Sequence, residues 1–216
     1  MLSLLPHKAL SLRRHDLVVI KPRRGAPEPV ISTWSEKGWP LVARRPVSGE
    51  VDGIALGLPL PPSQGKKRLS FVVQPDEILS IRPPLTLNSV KHVASQDWLP
   101  TIAMIAQLAV QHRIDVRVFG SLAWSALTGL DYLTATSDLD LLLYVTEETN
   151  LDRVIGRLAQ IQAMAPMRLD GEFVRGDGVA ANWQEFRSSA GEVLVKSLSG
   201  AALVDRHRFL TGSTAI

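Results

Sequence analysis

Apolar and polar positions alternate in two different rhythms along this chain, and the change of rhythm falls near residue 84. Before it, short apolar runs at Leu17-Val18-Val19-Ile20, Leu41-Val42-Ala43 and Leu69-Ser70-Phe71-Val72-Val73 are separated by Pro and Gly, the signature of strands joined by turns. The stretch Gly53–Pro62 cannot form a helix, because its prolines remove backbone donors and fix φ. Pro83-Pro84 closes this part as a linker. After it, the period becomes helical from Gln96 to Arg113: Asp97 is placed to cap, Pro100 suits a first turn, and Ile102, Ile105, Ala106, Ala109 and Val110 make an apolar face. A strand at 114–119, a Gly-Ser turn, a helix near 122–128, a loop at 129–137 and a strand at 138–145 follow. Leu151–Ala165 is again helical, with Val154, Ile155, Leu158, Ile161 and Gln162 on one side. Met167–Val174 and Val193–Lys196 read as strands, and Trp183–Phe186 as a helix start or a further strand. This pattern predicts an α+β protein: a small β-rich lobe over residues 1–84 and an α/β lobe over residues 85–216. There is no internal repeat and no low-complexity tract.

Composition narrows the function classes. The chain has 216 residues, 45% hydrophobic, and no cysteine, which removes disulfides, thiolate metal sites and Cys nucleophiles. Its five histidines show no metal-ligand spacing, so a zinc enzyme is not expected. No apolar run reaches membrane-spanning length, and Met1–Lys8 lacks the basic and apolar regions of a signal peptide, so a cytoplasmic protein with no membrane partner is expected. The net charge of +3 and pI near 9.4 suit an anion binder or serve solubility alone.

The chemistry concentrates at two places. In Gly120-Ser121, after a strand and at a helix start, the glycine lets backbone approach a phosphate and the serine offers a hydroxyl and an N–H where the helix dipole favours anions; most Gly-Ser turns do no such thing. In Ser137-Asp138-Leu139-Asp140, the two carboxylates point to one face of a strand that continues as an apolar run. Adjacent carboxylates repel unless a cation holds them, and a hard ion such as Mg²⁺ or Mn²⁺ favours this oxygen-only setting. A third carboxylate comes from Met167–Val174, where Asp170 and Glu172 again share a face; Asp170 is the first choice and Glu172 the second. Solvated strand-edge carboxylates are the plain alternative.

A strand, Gly-Ser, a helix, Asp-x-Asp and a later carboxylate strand resemble the nucleotidyltransferase superfamily that includes DNA polymerase β. The gap between Ser121 and Asp138 is longer than usual there. With Trp124, Leu127-Thr128-Gly129, Tyr132 and Ser137 inside it, the run is similar to the phosphoribosyl-dephospho-coenzyme A transferase family of malonate decarboxylase, its holo-acyl carrier protein synthases. That resemblance implies transfer of the phosphoribosyl-dephospho-coenzyme A unit from triphosphoribosyl-dephospho-coenzyme A to a serine of the apo acyl carrier protein subunit, with release of pyrophosphate. It implies that Asp138, Asp140 and Asp170 (or Glu172) hold the metals, with the third carboxylate near the attacking serine, and that Gly120 and Ser121 hold the triphosphate. Arg168 and Lys196 either neutralise the pyrophosphate or are surface cations. Trp124 either stacks on adenine or packs in the core. Lys66-Lys67-Arg68 and Arg13-Arg14-His15-Asp16 steer an acidic carrier or are solvated. Two alternatives stand beside this reading: a nucleotidyltransferase acting on a small molecule, RNA or another protein, and a nucleic-acid-binding module. The second expects aromatics interleaved with basic residues on a sheet, where this chain has carboxylates.

Overall fold

The computed structural model describes residues 12–23, 29–50, 52–188 and 191–212; Met1–Lys8, read above for a leader, lies outside them. Two sheets and several helices make a mixed α/β architecture, compatible with the α+β class. The first sheet holds β1 (Leu17–Ile20), β2 (Leu41–Ala43), β3 (Ile54–Pro59), β4 (Arg68–Val73) and β5 (Ile78–Arg82) in the order β4-β3-β2-β1-β5, antiparallel throughout. A helix that the strand-and-turn reading did not anticipate, α1 (Pro29–Glu36), buries Ile31 and Trp34 against it. Its eight residues are too few for a helical period to stand out from the neighbouring apolar runs.

The second sheet runs in sequence order: β6 (Leu85–Thr86), β7 (Asp115–Val118), β8 (Leu139–Tyr144), β9 (Leu169–Val174), β10 (Ala180–Asn182), β11 (Glu192–Lys196) and β12 (Ala201–Asp205). Pro83 and Pro84 stand between the two sheets. Among the described strands only β8 and β9 pair in parallel, which requires a crossover; α5 (Leu151–Met164) supplies it, capped by the Asn150 side chain accepting from Arg153 N–H at 3.0 Å. Two further helices are α2 (Leu87–Val90) and α3 (Leu99–His112).

One face of the second sheet is the main core. Leu139, Leu141 and Leu143 of β8, with Leu169 and Phe173 of β9, meet Ile102, Ile105 and Leu108 of α3 and Val154, Leu158 and Ile161 of α5. Each such leucine stabilises the fold by about 1.5–3 kcal/mol through burial. Gln162, expected on the apolar face, instead ties the end of α5 to β9: it donates to Met167 O and accepts from Leu169 N–H at 2.6 Å.

Three local expectations are corrected. Val110 is 79% exposed, because at 3.6 residues per turn it lies roughly 160° from the buried Leu108. Asp97 makes no cap: it sits in a tight turn at Gln96–Trp98 that leads into α3. At Trp183–Phe186 there is neither a strand nor an α-helix; β10 ends at Asn182 and a single 3₁₀ turn follows at Glu185–Arg187, with Trp183 and Phe186 buried.

Candidate active site

The carboxylates gather where β7 ends and β8 and β9 begin. The parallel register places Asp140 directly opposite Asp170 and Leu142 opposite Glu172. Asp138 precedes β8 by one residue. On the other side, β7 is antiparallel to β8, so its end delivers α4 (Gly120–Thr128) to the same place. Phe119 N–H donates to Asp140 O at 3.1 Å, and the Ser121 backbone N–H favours the ionised form of the Asp140 carboxyl. The helix start thus faces the Asp140 carboxyl, the end of the helix that favours negative charge.

Gly120 is required by this approach. Its φ is +66°, and a Cβ there would fall 1.7 Å from Asp140 Oδ2. No L-residue fits without moving either the helix start or Asp140.

Crowding of charge shows in Asp140. Burial, and then the negative charges of Asp170 and Asp138, push its pKa up to about 7, against the opposing pull of the Ser121 N–H and Arg168. The other two carboxylates are more open, at 27% and 34% side-chain exposure for Asp138 and Asp170. Arg168 forks onto Asp138, with Nε 3.1 Å from Oδ1, and its guanidinium also lies 3.9 Å from Asp170. Asp170 is fixed by Asn182, whose Nδ2 donates to Oδ1 at 2.9 Å; the Asn182 side-chain Oδ1 in turn accepts from Gln184 N–H. As the side chains stand, no three His, Cys, Asp or Glu residues among those described are grouped closely enough to hold an ion. The donor set is nevertheless oxygen-only and self-repelling, which suits a hard cation, and Arg168 supplies positive charge at its edge.

Three of the sequence-derived residues lie elsewhere. Glu172 points to the segment before β1: Arg14 Nη1 and Nη2 donate to its two oxygens at 3.1 and 3.3 Å. Burial opposes ionisation of Glu172, but the charges and contacts of His15 and Arg14 outweigh it and hold the pKa at about 2. His15 Nε2 approaches Glu172 only to 3.6 Å, beyond hydrogen-bonding range, so the two Arg14 bonds are the stronger link. Arg14 was read from sequence as part of a run that either steers a carrier or is solvated, and its partner is 158 residues away. Trp124 is 6% exposed, packed between Trp34 of α1 and Tyr132 at ring separations of 6.0 and 6.2 Å. It belongs to the core of the first sheet, which Tyr132 also joins by donating to Pro59 O at 2.8 Å. The core alternative for Trp124 describes this arrangement, since no indole face is left for a ligand. Lys196 pairs with Ala180, which pairs with Val174, four residues or roughly 13 Å along β9 from Asp170 and two strands across. The register keeps it away from the carboxylates, whereas Arg168 is among them. Asn182 escaped notice in the sequence; its signal was a polar residue ending the apolar run Ala180-Ala181.

Among the described residues no helix is long and apolar enough to cross a membrane. The sequence matches the family models described as phosphoribosyl-dephospho-CoA transferase MdcG N-terminal domain, over residues 13–84, and C-terminal domain, over residues 86–207. It is 44% identical over 211 residues, 93% of each chain, to a protein of Bradyrhizobium diazoefficiens named phosphoribosyl-dephospho-CoA transferase. Proteins of the same name from Xanthomonas campestris pv. campestris and Xanthomonas euvesicatoria pv. vesicatoria are 37% and 36% identical over 180 residues, 83% of this chain and 84% of theirs. No solved structure matches it. The chain belongs to the phosphoribosyl-dephospho-CoA transferase family and is an enzyme, a transferase.

Proposed function

We propose that the protein transfers the phosphoribosyl-dephospho-coenzyme A unit of triphosphoribosyl-dephospho-coenzyme A to a serine of the apo acyl carrier protein subunit of malonate decarboxylase. The serine oxygen attacks the phosphorus nearest the ribose, the bond to the outer two phosphates breaks, pyrophosphate leaves, and a phosphodiester remains. The observation that carries this reading is the register: Asp140 and Asp170 face each other across β8 and β9, Asp138 stands beside them, and the α4 start with Gly120 forms the adjoining wall. This is the arrangement that a nucleotidyltransferase-like lobe of the DNA polymerase β type would use.

Each residue then has a task. The Gly120-Ser121 backbone and the α4 N-terminus receive the triphosphate, where N–H groups favour anions. Arg168 releases Asp138 and turns to the departing pyrophosphate, a fork suited to phosphate oxygens. Asp170 is open enough to meet the incoming hydroxyl and, held by Asn182, accepts its proton. Asp138, Asp140 and Asp170 would hold Mg²⁺ or Mn²⁺, which when bound neutralises charge on the attacking and leaving oxygens. Catalysis of this kind rests on positioning and charge stabilisation.

The test is pyrophosphate release from the donor with Mg²⁺ and apo carrier protein. Release must depend on the carrier's acceptor serine and must be lost in Asp138→Ala and Asp140→Ala. Release that survives both substitutions overturns the reading; release without any carrier protein assigns a different acceptor.

A further inference from the structure

A short segment ahead of β1 crosses from the first sheet to the second and touches both walls of the site. Residues 13–16 form a turn tied to β2 from two sides: His15 N–H donates to Ala43 O at 3.0 Å, and Ala43 N–H donates to Asp16 O at 2.8 Å. The Asp16 carboxylate closes the turn by accepting from Arg13 N–H at 2.8 Å. His15 is held at φ +70°, a left-handed conformation that non-glycine residues rarely adopt. A fixed turn of this kind is kept in place by its surroundings.

Three side chains of the turn reach the second lobe. Arg14 makes its two-pronged pair with Glu172, which is 13% exposed. The His15 ring lies 4.4 Å from the Phe119 ring, between centroids. Arg13 adds a bond from Nη2 to Gly176 O at 2.9 Å, in the turn after β9. Glu172 is two residues from Asp170 on the same strand face, and it stands opposite Asn182, the residue that fixes the Asp170 carboxylate. Phe119 is the residue before Gly120, and its N–H bonds to Asp140 O. One rigid turn of the first sheet therefore pins β9 on one side and the start of α4 on the other.

We propose that Arg14, paired with Glu172 and seconded by His15, is a positioning residue: the turn sets the separation between the Gly120-Ser121 wall and the Asp170 strand. Glu172, the runner-up third carboxylate, is thereby assigned to holding the site rather than to touching the substrate. The role of the first sheet is to complete the site, in addition to any part it has in binding. This inference rests on the transferase reading for its kinetic arm only.

The test uses the full chain with Arg14→Ala, Arg14→Lys, Glu172→Gln and the double variant Arg14→Ala/Glu172→Gln, at a temperature where circular dichroism shows each one folded. A misplacement of about 1 Å can cost about a hundredfold, so kcat should fall about tenfold or more in Arg14→Ala and in Glu172→Gln. KM for the donor should move less than about threefold, since uniform binding is untouched. The double variant should be no worse than the worse single, because both remove one pair. Arg14→Lys should lie between, keeping the charge without the fork. Amide hydrogen exchange at 119–121 and 170–172 should speed up in Arg14→Ala. Unchanged exchange at both segments overturns the proposal whatever the activity. So does wild-type kcat in Arg14→Ala, or a loss confined to Glu172→Gln, which would put Glu172 on the substrate. Absence of transfer by the wild-type protein instead sinks the proposed reaction and leaves the exchange result standing.

Discussion

Replacing Asp140 by asparagine isolates the charge crowding at the strand ends. The wild-type carboxyl is raised from 3.8 to about 7 in the folded protein. Unfolded chain begins to ionise near 3.8 while folded chain keeps its proton, so this group lowers stability as pH rises from about 4 and the loss levels off above about 7. Three pKa units at 1.36 kcal/mol each make the full loss about 4 kcal/mol, of which about 2–3 kcal/mol accrues between pH 5 and pH 8. Asparagine is neutral at every pH and nearly the same shape as the acid. With divalent cations chelated, Asp140→Asn should therefore gain on wild type by about 2–3 kcal/mol between pH 5 and pH 8. That corresponds to about 4–12 °C in Tm for a chain of this size. The assay is thermal unfolding of both proteins at the two pH values in matched ionic strength. The substitution should abolish pyrophosphate release at either pH. An equal Tm difference at pH 5 and pH 8, or a variant that loses ground at pH 8, would refute the account of a buried, repelled carboxylate.

Other expectations follow from the same geometry. Gly120→Ala should lose transfer activity by about a hundredfold or more, because the new Cβ meets Asp140 and the backbone must leave φ +66°; single-turnover kinetics read this. Trp124→Ala should destabilise the protein by about 3–5 kcal/mol in denaturant unfolding; a raised donor KM with unchanged stability would return Trp124 to the substrate. Arg168→Ala should reduce pyrophosphate release about tenfold or more, while Lys196→Ala changes it less than about threefold, in parallel steady-state assays.

Much of the candidate site's geometry was legible because it is local. A strand, a glycine turn and a helix start are set by neighbouring residues, and two carboxylates at i and i+2 share a face whatever surrounds them. The apolar run Leu139–Leu143 likewise announced a buried strand, and β8 is an interior strand of its sheet, between β7 and β9. Choices between equivalent residues were not legible. Asp170 and Glu172 have the same spacing and chemistry, and what separates them is the parallel register that sets Asp170 beside Asp140, together with an arginine 158 residues from Glu172. Trp124 offered the same pattern for stacking as for packing, until α1 and Tyr132 closed over it. Arg168 and Lys196 are both cations at strand ends, but only Arg168 enters the cluster, because the antiparallel turns after β9 carry Lys196 to a different row. Local order depends on interactions over a few residues, which the chain carries in its spelling. Partner choice across a sheet or between two lobes depends on long-range pairing energies, which become decisive once the backbone has brought distant segments together.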